Sequence, residues 1–151
     1  MSIYEKAYLK NMSINVEQLG NKHQLNPNNT GVTRIDDCLA FSKNSGIFRC
    51  DVLSIRQNGT APIQLIECKS GDDVIMQAIT LDTEVMTADG NYVSIREGTL
   101  KLGTNLLVAN GNVTYTYAVT QVTGGNTGYT YKIKTSRNNY VLESGIVVKS
   151  D

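Results

Sequence analysis

No apolar run in this chain is longer than four or five residues, and Asn, Gly, Thr or Ser interrupts nearly every one. That pattern is far short of the ~20 apolar residues of a membrane-spanning helix. It suits short strands joined by turns rather than long helices. Asn (15), Thr (15), Gly (13) and Ser (10) make up about a third of the 151 residues. Thr and Tyr favour strands, and Asn and Gly favour the turns between them. Five of the eight tyrosines follow residue 114. The length is that of one domain, residues 1–151, large enough for a single core.

Lys and Arg balance Asp and Glu, 14 against 14. Such neutrality excludes a strongly basic nucleic-acid coat and an acidic tail. With no secretory signal at the start, a cytoplasmic location is expected. The three cysteines Cys38, Cys50 and Cys68 match no zinc spacing, and His23 is the lone histidine. Buried thiols in a reducing compartment are the expectation, since a Cys38–Cys50 bridge needs an oxidising one.

Tyr4, Ala7, Tyr8 and Met12 recur at helical spacing behind Ser2, which predicts a helix within 2–19. Residues 20–32 read as a loop. Phe48 to Ile55 and Ile63 to Lys69 read as strands, with Gln57-Asn58-Gly59-Thr60 as a hairpin turn between them. Residues 72–86 fit either a helix with the stripe Val74, Ala78, Leu81 and Val85 or a strand. Beyond the turn at 88–91 the chain reads as a meander: 92–96, 105–109, 113–122, 129–135 and 140–148 as strands, and 123–128 as a loop. The tyrosines of the meander are expected to pair within a sheet.

The presumed hairpin carries the residues with a chemical use. Strand alternation puts Glu67 and Lys69 on one face, and pairing about Asn58-Gly59 would bring Asp51 level with them. Two carboxylates plus the backbone carbonyl of Cys68 suit a hard cation such as Mg²⁺ or Mn²⁺. Such an ion polarises a phosphate and helps ionise a bound water, and Lys69 would stabilise the developing charge.

Asp51 followed by Glu67-Cys68-Lys69, each in an apolar strand, resembles the core of the PD-(D/E)xK nuclease superfamily. Residues 49–70 are also similar to the nuclease domain of type I restriction motor subunits, although Cys50 stands where a proline usually precedes the aspartate. The resemblance implies an α/β (α+β) fold: a mixed, strand-rich sheet with a few flanking helices, restriction-endonuclease-like. An all-β barrel or sandwich is the alternative fold. It further implies a metal-dependent nuclease acting on DNA or RNA, often as a homo-oligomer. Asp51, Glu67 and Lys69 would be catalytic, and Asp51, Glu67, Cys68 and Glu17 would bind metal, with Glu5 as a substitute for Glu17. Gln77 would lie on the helix after the hairpin.

Two further readings stand beside it. Ala78-Ile79-Thr80-Leu81-Asp82-Thr83-Glu84-Val85-Met86-Thr87, then Asp89-Gly90, resembles the opening block of intein and Hedgehog-type self-splicing domains. Tyr140 to Val148 resembles their closing block. That resemblance places Ala78 where a nucleophilic Cys or Ser belongs, and Lys149-Ser150 where His-Asn belongs. It therefore implies a copy that binds and does not splice. The remaining reading rests on composition: a non-enzymatic β-rich assembly subunit, such as a phage virion or capsid decoration protein.

Overall fold

The computed structural model describes residues 37–96 and 99–150, and these form nine strands and no helix. The strands are β1 (Asp37–Ser42), β2 (Gly46–Ser70), β3 (Asp73–Thr80), β4 (Glu84–Met86), β5 (Tyr92–Ser94), β6 (Asn105–Asn110), β7 (Val113–Thr135), β8 (Asn139–Val141) and β9 (Val147–Lys149). One sheet runs β1-β2-β7-β6, with β3 also paired to β2; a second runs β5-β4-β9-β8. All the strand pairs are antiparallel. The expected α/β, restriction-endonuclease-like architecture is thereby overturned: the described chain is all-β. The predicted helix within 2–19, the loop at 20–32, Glu5, Glu17 and His23 lie outside the described residues.

The largest local correction concerns Asn58-Gly59. β2 runs unbroken from Gly46 to Ser70, so the expected hairpin does not exist. Gln57 faces Tyr131 and Gly59 faces Thr130, leaving Asn58 as one extra residue in the ladder. A glycine inside a strand that finds a long partner marks a bulge and not a turn. The expected loop at 123–128 is corrected in the same way. Ile63 faces Asn126 and Leu65 faces Thr123, so Gly124 and Gly125 together oppose the single residue Gln64. Two of the real turns are two residues long. Gly71-Asp72 joins Ser70 to Asp73, and Gly111-Asn112 joins Asn110 to Val113. Their glycines have φ of 60° and 66°, the left-handed region in which hairpin turns place them.

Residues 72–86 form no helix. Val74 and Ala78 instead pair with Lys69 and Leu65 of β2, and the chain turns at 81–82 into β4. With a ready sheet edge beside it, the β-branched content of the segment prevails over its helical spacing.

The core has two parts, and several strands contribute to both. Leu106 and Val108 of β6 enter the larger cluster, while Leu107 and Ala109 enter the smaller. Tyr140 and Leu142 alternate likewise with Val141, and Ile146 and Val148 with Val147. A strand covered on both faces must be apolar at every position, which is why 140–142 and 145–148 read as continuous apolar runs.

Candidate functional site

The two segments that carry the splicing-domain resemblance meet in space. Val85 of β4 pairs with Val148 of β9. Lys149 Nζ lies 3.6 Å from Glu84 Oε1 and 5.7 Å from the centre of the Tyr92 ring. Further along, the buried Gln77 accepts a hydrogen bond at Oε1 from the Ser144 backbone N–H (3.4 Å), and its Nε2 donates to the Ala78 carbonyl (3.2 Å). The opening segment thus contacts the closing hairpin at both of its ends.

Each segment is built by local chemistry. Thr80 and Thr83 share a buried hydroxyl–hydroxyl bond of 2.6 Å, and the Thr83 N–H donates to the Thr80 carbonyl, so the chain can leave β3 and enter β4. At the next turn Thr87 donates its hydroxyl to the Asp89 carboxylate, and the Asn91 carbonyl accepts from the Thr87 N–H at 2.7 Å. The Thr87 hydroxyl, followed by the backbone N–H of Asn91, holds the Asp89 carboxyl below its usual range. In the closing hairpin, Gly145 has φ 99° and its N–H donates to Leu142 (2.8 Å). A Cβ at Gly145 would lie 2.3 Å from the Ala109 carbonyl oxygen, so the turn presses directly on β6. Burial raises the Glu143 carboxyl on this turn.

The groups that would cut a peptide are not at these positions. Ala78 offers a methyl group, Lys149 is engaged with Glu84, and the Ser150 hydroxyl accepts from the Thr135 N–H at 2.9 Å. There is no histidine among the described residues. Cys68 is buried, and its thiol is pushed up to about 12 by that burial and then by the Glu67 charge, so it stays protonated. The peptide between Gln77 and Ala78 lies inside β3, where these residues face Ile66 and Leu65 of β2.

The expected metal set does not assemble. Asp51 and Glu67 sit sixteen positions apart on one strand, roughly 50 Å of strand path at ~3.3 Å per residue. Asp51 is exposed, faces Asp37 across the ladder, and has its backbone N–H bonded to Ser136 Oγ (3.0 Å). Glu67 is half-buried, and its carboxylate accepts the Thr120 hydroxyl at 2.8 Å. Lys69 is exposed two residues on, between Val74 and Ala118. Cys68 lies between Ile75 and Val119. Gln77 is on a strand and not on a helix. Among the described residues, no three His, Cys, Asp or Glu side chains group to hold a metal ion.

No family model and no curated protein matches the sequence. Solved structures do match. A mutant of an Ssp DnaB mini-intein variant aligns over 82% of this chain and 92% of its own, with a TM-score of 0.64 and 14% identity. The fold is that of the inteins. The DnaB intein from Synechocystis aligns over 76% of this chain and 79% of its own (TM-score 0.63, 14% identity). A transcription factor IIB mini-intein aligns over 76% and 71% (0.59, 20%). The intein fold overturns the nuclease expectation, and equally the virion-subunit alternative. It agrees with the resemblance of 78–90 and 140–148 to self-splicing domains. The competing signal, Asp51 with Glu67-Cys68-Lys69, depended on a turn at Asn58-Gly59 that is a bulge.

Proposed function

We propose that this chain is a non-splicing domain of the intein fold, one that stays in a single piece and acts by binding through its surface. The observation that carries this reading is Ala78. A methyl group has no lone pair with which to attack the preceding carbonyl, so acyl transfer from Gln77 has no acceptor at this position. The neighbouring side chains have structural work. Lys149 ties β9 to β4, Ser150 satisfies the Thr135 N–H, and Gln77 fastens β3 to the closing hairpin. The resemblance at 78–90 and 140–148 then reflects retention of the two segments that build the core, without retention of the chemistry.

The test is mass spectrometry of the full chain held at neutral pH, with and without a small thiol or hydroxylamine. The expected outcome is one species of 16.5 kDa under every condition. Appearance of a 1–77 fragment with its 78–151 complement would overturn the reading. Ala78→Cys serves as the positive arm, because it restores a thiol at the same backbone position.

A further inference from the structure

An open cavity of about 390 Å³ lies where the turn after β4 meets the segment leading into β6. It adjoins Thr87, the residue that follows β4, whereas Ala78 lies before that strand, on β3. Backbone bonds fix its frame. The Ala88 N–H donates to the Asn105 carbonyl (2.8 Å), the Gly90 N–H to the Thr87 carbonyl (2.9 Å) and the Val119 N–H to the Thr104 carbonyl (2.9 Å). A cleft of this size with its walls already held needs little ordering to take a small ligand. The hydroxyls and the carboxylate in it are acceptors. The Thr104 hydroxyl gives its proton to the Lys101 carbonyl (2.7 Å), so what it has left to offer is a lone pair. The Thr87 hydroxyl gives its proton to Asp89 Oδ1, which also takes the Asn91 N–H (3.4 Å). The Asp89 carboxylate has further lone pairs beyond these two bonds. It is exposed, and no described Lys or Arg forms an ion pair with it. Lys43 packs against Gly90, its Cε 2.6 Å from where a Cβ would sit, but does not line the cavity.

We propose that this cavity binds a guanidinium group on an alkyl stem, the group an arginine side chain carries, with Asp89 as its counter-ion. A ligand for such a site must bring donors and positive charge, because the site supplies acceptors and one negative charge. The acceptors come from two segments of chain: Asp89 on the turn, Thr104 opposite, and the side-chain amide oxygens that Asn91 and Asn105 add. A planar fork with five N–H donors can address several of them together, which a point-like ammonium cannot. Ala88 and Val93 complete the lining and give the stem an apolar contact. The proposal rests on the reading of the chain as a binding domain and names where that binding occurs. The two fail separately, since one is read by cleavage and the other by titration.

The experiment titrates the full chain with N-acetyl-arginine methylamide, at constant ionic strength, and follows the backbone amides by two-dimensional NMR. N-acetyl-citrulline methylamide, nearly the same shape without the charge, is the comparison. The expected result is a saturable set of shifts at 87–93 and 104–105, with the citrulline compound weaker by about tenfold, since a charge-assisted bond is lost. Asp89→Asn should weaken arginine binding by a similar factor. It retains a side-chain oxygen for the Thr87 hydroxyl and the Asn91 N–H, so the turn should survive. The arginine and citrulline titrations of the native chain form a comparison that needs no variant to fold. No saturable shift, shifts centred on another part of the chain, equal binding of the two compounds, or undiminished binding by a folded Asp89→Asn chain would overturn the proposal.

Discussion

The short strands β6, β8 and β9 and the long ribbon of β2 with β7 are both antiparallel β-structure, yet they are held by different means. In the short strands and the turn that joins β8 to β9 most apolar side chains are buried: Leu106, Val141, Leu142, Ile146, Val147 and Val148 are all at 0% exposure. The ribbon alternates instead between buried residues such as Ile66 and Val119 and exposed ones such as Thr60, Pro62, Thr123 and Thr127. It also slips register at four places. Leu53 is the extra residue at one slip and stands 57% exposed. Packing on two faces decides the short strands, whereas the ribbon depends on continuous backbone pairing that tolerates an inserted residue.

Core truncation in the closing hairpin should show the contrast most strongly. Leu142→Ala is expected to cost about 2–5 kcal/mol in chemical denaturation, because both sheets close around that side chain. A loss under 1 kcal/mol would mean the two-faced packing is not what holds the closing hairpin. Next comes Asn139→Ala. The Asn139 amide accepts from the Phe41 N–H (2.8 Å), and donates to the Phe41 carbonyl (3.0 Å) and the Tyr92 hydroxyl (3.1 Å). Leaving those backbone groups without the amide should cost about 1–3 kcal/mol. Hydrogen exchange should localise the loss to β1.

The ribbon should respond with the opposite sign. Gln64 faces the Gly124-Gly125 bulge and is buried, with neither end of its amide partnered among the described residues. Gln64→Met keeps the length and removes the unsatisfied groups, so a gain of about 1 kcal/mol is expected. A clear loss would show that the amide is bound in solution.

The smallest effect concerns pH. Because burial raises the Glu143 carboxyl, the folded chain keeps this proton at pH values where the unfolded chain has released it. Stability should therefore fall slightly as pH rises through the range just above the ordinary glutamate value. Glu143→Gln should flatten that part of a thermal-melt profile. A profile identical to that of the native chain would remove Glu143 from the account.

Much of the β-structure was legible locally. The turn at 88–91 and the strand at 105–109 are where alternation and turn residues placed them. The candidate site was legible only as two disconnected blocks, 78–90 and 140–148. Their contact through Val85 and Val148 joins residues far apart in the chain, and no local spacing encodes it. The nuclease constellation failed for the same reason in reverse. Asp51 and Glu67 looked adjacent because Asn58-Gly59 is an excellent hairpin turn in isolation.

What the sequence determined by itself is the strand-forming character of the described chain, the continuous apolar runs that must be buried on both faces, and the absence of a nucleophile at position 78. These depend on side-chain chemistry and on periods of two residues. Tertiary structure decided which glycines turn the chain and which only bulge it. The glycine at 59 can serve either purpose, and the available partner settles the matter: β7 offers a second strand along which β2 stays paired through the slip. Backbone pairing over that length outweighs the local preference to turn.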